Sequence, residues 1–194
     1  MSAHPSPATR QLARLLRDWF LFVLVGVATA AVGELQFSVF IRGDWANLYG
    51  SMFFNALYLT GAFAITRLLF RFLPRRAAFL LTVVLAAAGG LAVEWLLIGN
   101  SPRGNPDASQ LGMAAYWACL VLVPLIVADS EPRLRPLKRR LGLYALLYTA
   151  LAFVGQALIP AAEWRFAFHI WLVVVGYLGL LALGVVGYWR LFAD

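Results

Sequence analysis

The stretch GGLAVEWLLIGNSPRGNPDASQLGMAAYW, residues 89–117, runs apolar, breaks into a short polar segment and turns apolar again. Gly99-Asn100 and Gly104-Asn105 in the polar segment are turn formers. Two apolar runs joined this way read as a helical hairpin, since neither alternates as a barrel strand would. Asn105-Pro106-Asp107 predicts the start of the second helix: an N-cap, a proline at the first helical position and an acid on the helix dipole. Glu94, near the end of the first helix and beside Trp95, is harder to place. An ionised side chain costs about 2.5–3.5 kcal/mol at the centre of a bilayer, and less toward an interface.

The hairpin is one of three. Of the 194 residues, 62% are hydrophobic and 13% charged, against roughly 45–50% and about 25% in a soluble domain. Such a chain cannot hide its apolar surface in a water-soluble core. A helix needs ~20 apolar residues to cross ~30 Å of hydrocarbon. The runs that qualify are about 19–41, 46–70, 77–99, 108–128, 141–160 and 166–188. The predicted fold is therefore all-α: a polytopic integral membrane protein with a six-transmembrane-helix bundle over 19–188. A tail at 1–18 with a basic amphipathic turn precedes it, and a tail at 189–194 follows.

Charge placement predicts direction. The chain has sixteen Lys and Arg against nine Asp and Glu. Thirteen of the basic residues lie before the first span, around the second and fourth connections, or after the last span. Only Arg42, Arg103 and Arg165 fall on the other side, so the positive-inside rule puts both termini in the cytoplasm. Basic residues arranged to set topology argue against a nucleic-acid partner. Fifteen of the sixteen are Arg, and Ala and Leu abound, which suits a GC-rich bacterial genome and hence a bacterial inner membrane. The first apolar run continues about ten residues beyond Ala28-Thr29-Ala30, which favours an uncleaved span over a signal peptide.

Trp19 and Trp189 fall at the inner boundary and Trp45, Trp95 and Trp164 at the outer one, as interfacial indoles do. Trp117 and Trp171 fall deeper and are the candidates for lining an internal space, with plain packing as the alternative. Small residues precede both acids at four-residue spacing: Gly26, Ala30, Glu34 and Ala86, Gly90, Glu94. Residues four apart share a helix face, and small residues mark the face where helices pack closely. Both glutamates are thus expected inside the bundle. At 1.5 Å per residue each lies ~22–26 Å from the inner end, in the outer third of the membrane.

Other spans bring polar groups to that level: Asn47, Ser51 and Asn55 on the second, Gln110 and Tyr116 on the fourth, Gln156 on the fifth, His169 on the sixth. The expected ligand-binding set is Glu34, Glu94, His169, Tyr116, Asn55, Gln156, Trp117 and Trp171. Glu163 and Asp107 read as surface residues. Glu34, Glu94 and Glu163 also follow a faint three-fold pattern, most of which alternating topology imposes by itself.

Several chemistries are argued against. No lysine lies in a span, which a retinal Schiff base requires, and His4 is in the tail, so a single-chain bis-histidine haem lacks a ligand. Cys119 is the only cysteine, which removes internal disulfides and redox pairs and reads as a small buried residue. No HExxH, GxSxG or Walker spacing occurs, and no catalytic residue is assigned.

Three functions remain. The first is a polar, aromatic-lined site in the outer-leaflet half that binds or moves a lipid-like or small solute ligand, with membrane lipids as partners; transport by so small a bundle implies a homodimer. The second is a structural or accessory subunit of a larger membrane complex, whose polar stripes make interhelical contacts or dock a partner, and it predicts an exposed small-residue face such as Gly176, Gly179, Gly184 and Gly187. The third is an outer-leaflet enzyme, metal-assisted through Glu34, Glu94 and His169.

Overall fold

A computed structural model of the chain describes residues 6–105, 109–159 and 162–192. These are 89% helical, with no strand among them, and six helices are long and apolar enough to cross a membrane. They are α1 (Pro7–Glu34), α2 (Trp45–Phe72), α3 (Arg75–Val93), α4 (Gln110–Ala128), α5 (Arg135–Leu158) and α6 (Ala162–Leu191).

Two helices run on past their α segments. Leu35–Ile41 prolongs α1 and Glu94–Ile98 prolongs α3, both as π-helix. At the other end, α1 starts at Pro7 with the Ser6 hydroxyl capping it, well inside the expected tail. The cap and the proline set that start. No helix breaker separates the basic turn from the apolar span, so they form one helix.

The helices pair as hairpins, α1 with α2, α3 with α4 and α5 with α6. The fourth is the axis of the bundle. It packs against α1, α3 and α6, and 72% of its apolar window is buried, against 17–28% in the other five. Its cysteine, Cys119, is fully buried.

Without water between them, membrane helices gain little from hydrophobic burial and associate by close packing and hydrogen bonds. The glycines of α6 supply the close packing. Gly176 lies under the Tyr148 ring, Gly179 under the Tyr144 hydroxyl, Gly184 under Leu122 and Gly187 under Leu137. The small-residue face expected to be exposed is therefore covered by this chain's own α4 and α5.

Ion pairs cluster at one end of the bundle. Arg75 at the start of α3 pairs with Asp129 after α4 and donates from Nε to the Tyr188 hydroxyl of α6 at 2.8 Å. Tyr188 stacks on Phe79 with ring centroids 3.8 Å apart. Lys138 donates to the Val127 carbonyl at 2.9 Å and to the Asp129 carbonyl, closing the C-terminus of α4. We call this the basic end, and the opposite one the far end.

A Cβ added at Gly176 would stand 2.1 Å from the Tyr148 ring, whereas at Gly61 nothing lies within 4 Å. Thermal unfolding in detergent is expected to show Gly176→Ala destabilised by about 1–3 kcal/mol. Gly61→Ala should be neutral or stabilising by about 0.5–1 kcal/mol. Equal effects at the two sites would contradict the packing described.

Candidate functional site

Both glutamates sit where an α-helix gives way to a π-helix. Glu34 is the last residue of α1 proper, and Glu94 opens the π segment after α3. A π turn widens the helix and breaks the 3.6-residue periodicity, and such turns concentrate at functional sites. Neighbouring residues of the widened turn point to different partners. Glu34 and Ser38 turn toward α2 and α4, while Gln36 between them reaches α6.

Two adjacent residues of α4 bind the two acids. The Tyr116 hydroxyl donates to Glu34 Oε1 at 3.0 Å, and the Trp117 indole donates to Glu94 Oε1 at 3.0 Å. Successive residues of a helix diverge by about 100°, so one short stretch of α4 reaches α1 on one side and α3 on the other. Among the described residues neither carboxylate has an ion-pair partner.

Glu94 is 8% exposed, and its bonds close around it. Asn100 donates from Nδ2 to Glu94 Oε2 at 2.8 Å and from its backbone N–H to the Glu94 carbonyl at 2.8 Å. Between them Gly99, at φ 87°, makes the left-handed turn that ends the helix. Asn105 holds Asn100 Oδ1 at 3.1 Å, and Gln110 bridges from the Asn100 carbonyl to the Trp95 indole. Glu94 is therefore the clasp between the end of α3, its loop and the axis helix. Asn105 serves the loop and does not cap α4; the Ser109 side chain does, accepting from Gly112 N–H at 3.1 Å. Pro106 and Asp107 lie outside the described residues.

Glu34 is held more openly. It is partly exposed, and its second oxygen accepts from Ser38 at a long 3.5 Å. Asn47 donates to Ser38 at 2.7 Å, and Asn55 donates to the Tyr116 hydroxyl at 3.1 Å. The carboxylate is thus the acceptor at which two donor chains meet, Asn47–Ser38 and Asn55–Tyr116, with the Ser51 hydroxyl of α2 as a further partner. Along α2, Asn47 is exposed, Ser51 partly buried and Asn55 2% exposed. These residues, spaced by four, form a polar lane from the far end down to Glu34.

The remaining predicted residues do not join this group. His169, 5% exposed, faces Gln36 Oε1 at 3.5 Å and stacks on Phe37, whose ring also carries the Arg42 guanidinium 4.1 Å from its centroid. Gln156 donates to the Arg165 carbonyl at 3.4 Å, and its buried Oε1 lacks a partner, as does Gln36 Nε2. Trp171, expected inside, is 51% exposed and stacks on Phe168 at the surface. The sequence does not show which way it faces, because the surrounding stretch of α6 is apolar all round. Glu34, Glu94 and His169 do not form a metal site, and no three His, Cys, Asp or Glu side chains converge among the described residues. The residues missed by sequence reasoning are Ser38, Asn100 and Gln36. All three lie in or beside π turns, where helical spacing fails as a guide.

Replacing Glu94 by Gln sets an amide N–H against one of the two donors. Glu94→Gln is expected to lose about 1–3 kcal/mol of stability in detergent. A Cβ at Gly90 would stand 1.9 Å from Trp117 Cγ, so Gly90→Ala should displace the indole and cost about 1–3 kcal/mol. Both changes break one contact, so the double variant should lose clearly less than the sum of the two single losses. Strict additivity would count against the clasp.

Comparison with family models, with curated proteins and with solved structures finds no match for this chain.

Proposed function

We propose that this is a bacterial inner-membrane protein with both termini cytoplasmic. In this reading the outer-leaflet half of its bundle binds a lipid-like or small solute ligand through Glu34. The observation that carries the proposal is the contrast between two otherwise similar acids. Glu94 is buried with both oxygens within 3.0 Å of donors from its own chain, while Glu34 is partly exposed and, beyond Tyr116, is met by serine hydroxyls, Ser38 at a long 3.5 Å and Ser51 of the polar lane. A carboxyl in a low-dielectric interior with no cationic partner favours a proton or a positively charged or donor-bearing ligand.

The surroundings fit a ligand with an apolar body. Tyr116 packs edge-on to Tyr177 at 5.2 Å and to Trp117 at 5.5 Å, so the polar group of the ligand would meet Glu34 among aromatic walls. Pockets of this kind combine few convergent polar groups with apolar lining. Asn47 and Ser51 would give access from the outer face, and Tyr116 and Asn55 would orient the carboxyl. His169 and Gln36 stand apart, on the α6 side of the same π segment, and have no assigned role in binding. The α6 glycines named for the accessory-subunit alternative are covered by α4 and α5.

A hydrophobic carbodiimide reacts with protonated carboxyl groups inside membranes and leaves a mass tag. In the intact protein Glu34 should be tagged and Glu94 protected, and Glu34→Gln should abolish the tag with unchanged abundance. Any small molecule that co-purifies, seen as an adduct by native mass spectrometry, should fall about tenfold in Glu34→Gln, as loss of one charge-assisted hydrogen bond implies. Tagging of Glu94 in place of Glu34 would refute the assignment.

A further inference from the structure

A second polar region lies at the basic end, away from Glu34, in a cleft of ≈ 230 Å³ between α1, α2 and the C-terminus of α4. Three helices build it in the same way. Asp18 stands one turn above Phe22 on α1, Arg67 one turn above Phe63 on α2, and Asp129 one turn above Leu125 at the end of α4. On each helix the polar residue is the one nearer the basic end. The Phe22 and Phe63 rings meet at 5.5 Å and form the floor. The cleft is thus polar at its mouth and aromatic at its base, as an amphiphile is.

Its polar groups are incompletely used. Thr29, Thr60 and Thr82 each donate to the carbonyl four residues earlier, as threonines in apolar helices do. Thr66 does not: it is 4% exposed, lines the cleft, and its hydroxyl has no partner. A buried hydroxyl left unpaired costs about 1–3 kcal/mol, so a ligand that bonds it has a ready gain. Arg67 makes no hydrogen bond to the described residues and meets Asp18 Oδ2 only at 4.0 Å. Asp18 Oδ1 is taken by Arg17 at 3.0 Å, and Asp129 is taken by Arg75. What remains is a guanidinium and a hydroxyl for an anion, with one carboxylate oxygen beside them for a cation.

We infer that the cleft binds the headgroup of a phospholipid carrying a phosphate and a primary ammonium. The phosphate meets Arg67 and Thr66, the ammonium meets Asp18 Oδ2, and the acyl chain lies against Phe22, Phe63 and Leu125. A purely anionic headgroup would face Asp18 unfavourably, and a quaternary ammonium has no N–H to give it.

Native mass spectrometry of the full chain in detergent tests this with phosphatidylethanolamine, phosphatidylglycerol and phosphatidylcholine of matched acyl chains. Phosphatidylethanolamine should be retained about tenfold over the other two, the scale of one charge-assisted hydrogen bond. Thr66→Val, which keeps the side-chain shape, and Arg67→Gln should each lower that retention about tenfold. Arg71→Gln, which removes the same charge outside the cleft, should not. Equal retention of the three lipids overturns the inference without recourse to any variant, and so does unchanged retention in Thr66→Val. Displacement of the lipid by soluble phosphoethanolamine at similar concentration would assign the cleft to a free solute and overturn the lipid assignment.

Discussion

A carboxyl group inside a bilayer has no water to turn to, and must find its hydrogen bonds within the chain that carries it. That constraint organises this bundle. Both glutamates are met by α4, through the neighbouring side chains Tyr116 and Trp117. The helix that meets them is also the most buried, packed by α1, α3 and α6. Only a central helix can reach two separate neighbours from consecutive positions, so the bonding of the acids and the place of α4 belong to one arrangement.

Close approach makes those bonds attainable. The Trp117 indole reaches Glu94 because Gly90, one turn before it on α3, leaves room for the ring. The same device recurs on α6, where Tyr148 and Tyr144 lie directly on Gly176 and Gly179. In lipid such contacts supply association energy that burial of apolar surface cannot. A glycine stripe here is the mark of an internal seam, and only the covering residues distinguish it from a docking surface.

The two ends of the molecule handle polarity differently. At the basic end, charges meet charges: Arg75 with Asp129 and Glu131, Arg17 with Asp18. Toward the far end the acids are held by neutral donors, namely tyrosine, tryptophan, serine and asparagine. Neutral donors satisfy a carboxyl without fixing its charge. A carboxylate locked to arginine would have no such latitude.

Much of this was legible in the chain itself. Continuous apolar runs of about 20 residues set six helices, and the small-residue stripes set the inward faces of Glu34 and Glu94, because a helix face repeats every four residues whatever surrounds it. The tertiary structure alone decided what each acid does there. The π turns at Leu35–Ile41 and Glu94–Ile98 break the repeat from which faces are inferred, and they bring Ser38, Gln36 and Asn100 into play. Trp171 turned outward and Trp117 inward on helices whose composition is apolar on every side. Where all faces look alike in sequence, only the packing of neighbours assigns an inside.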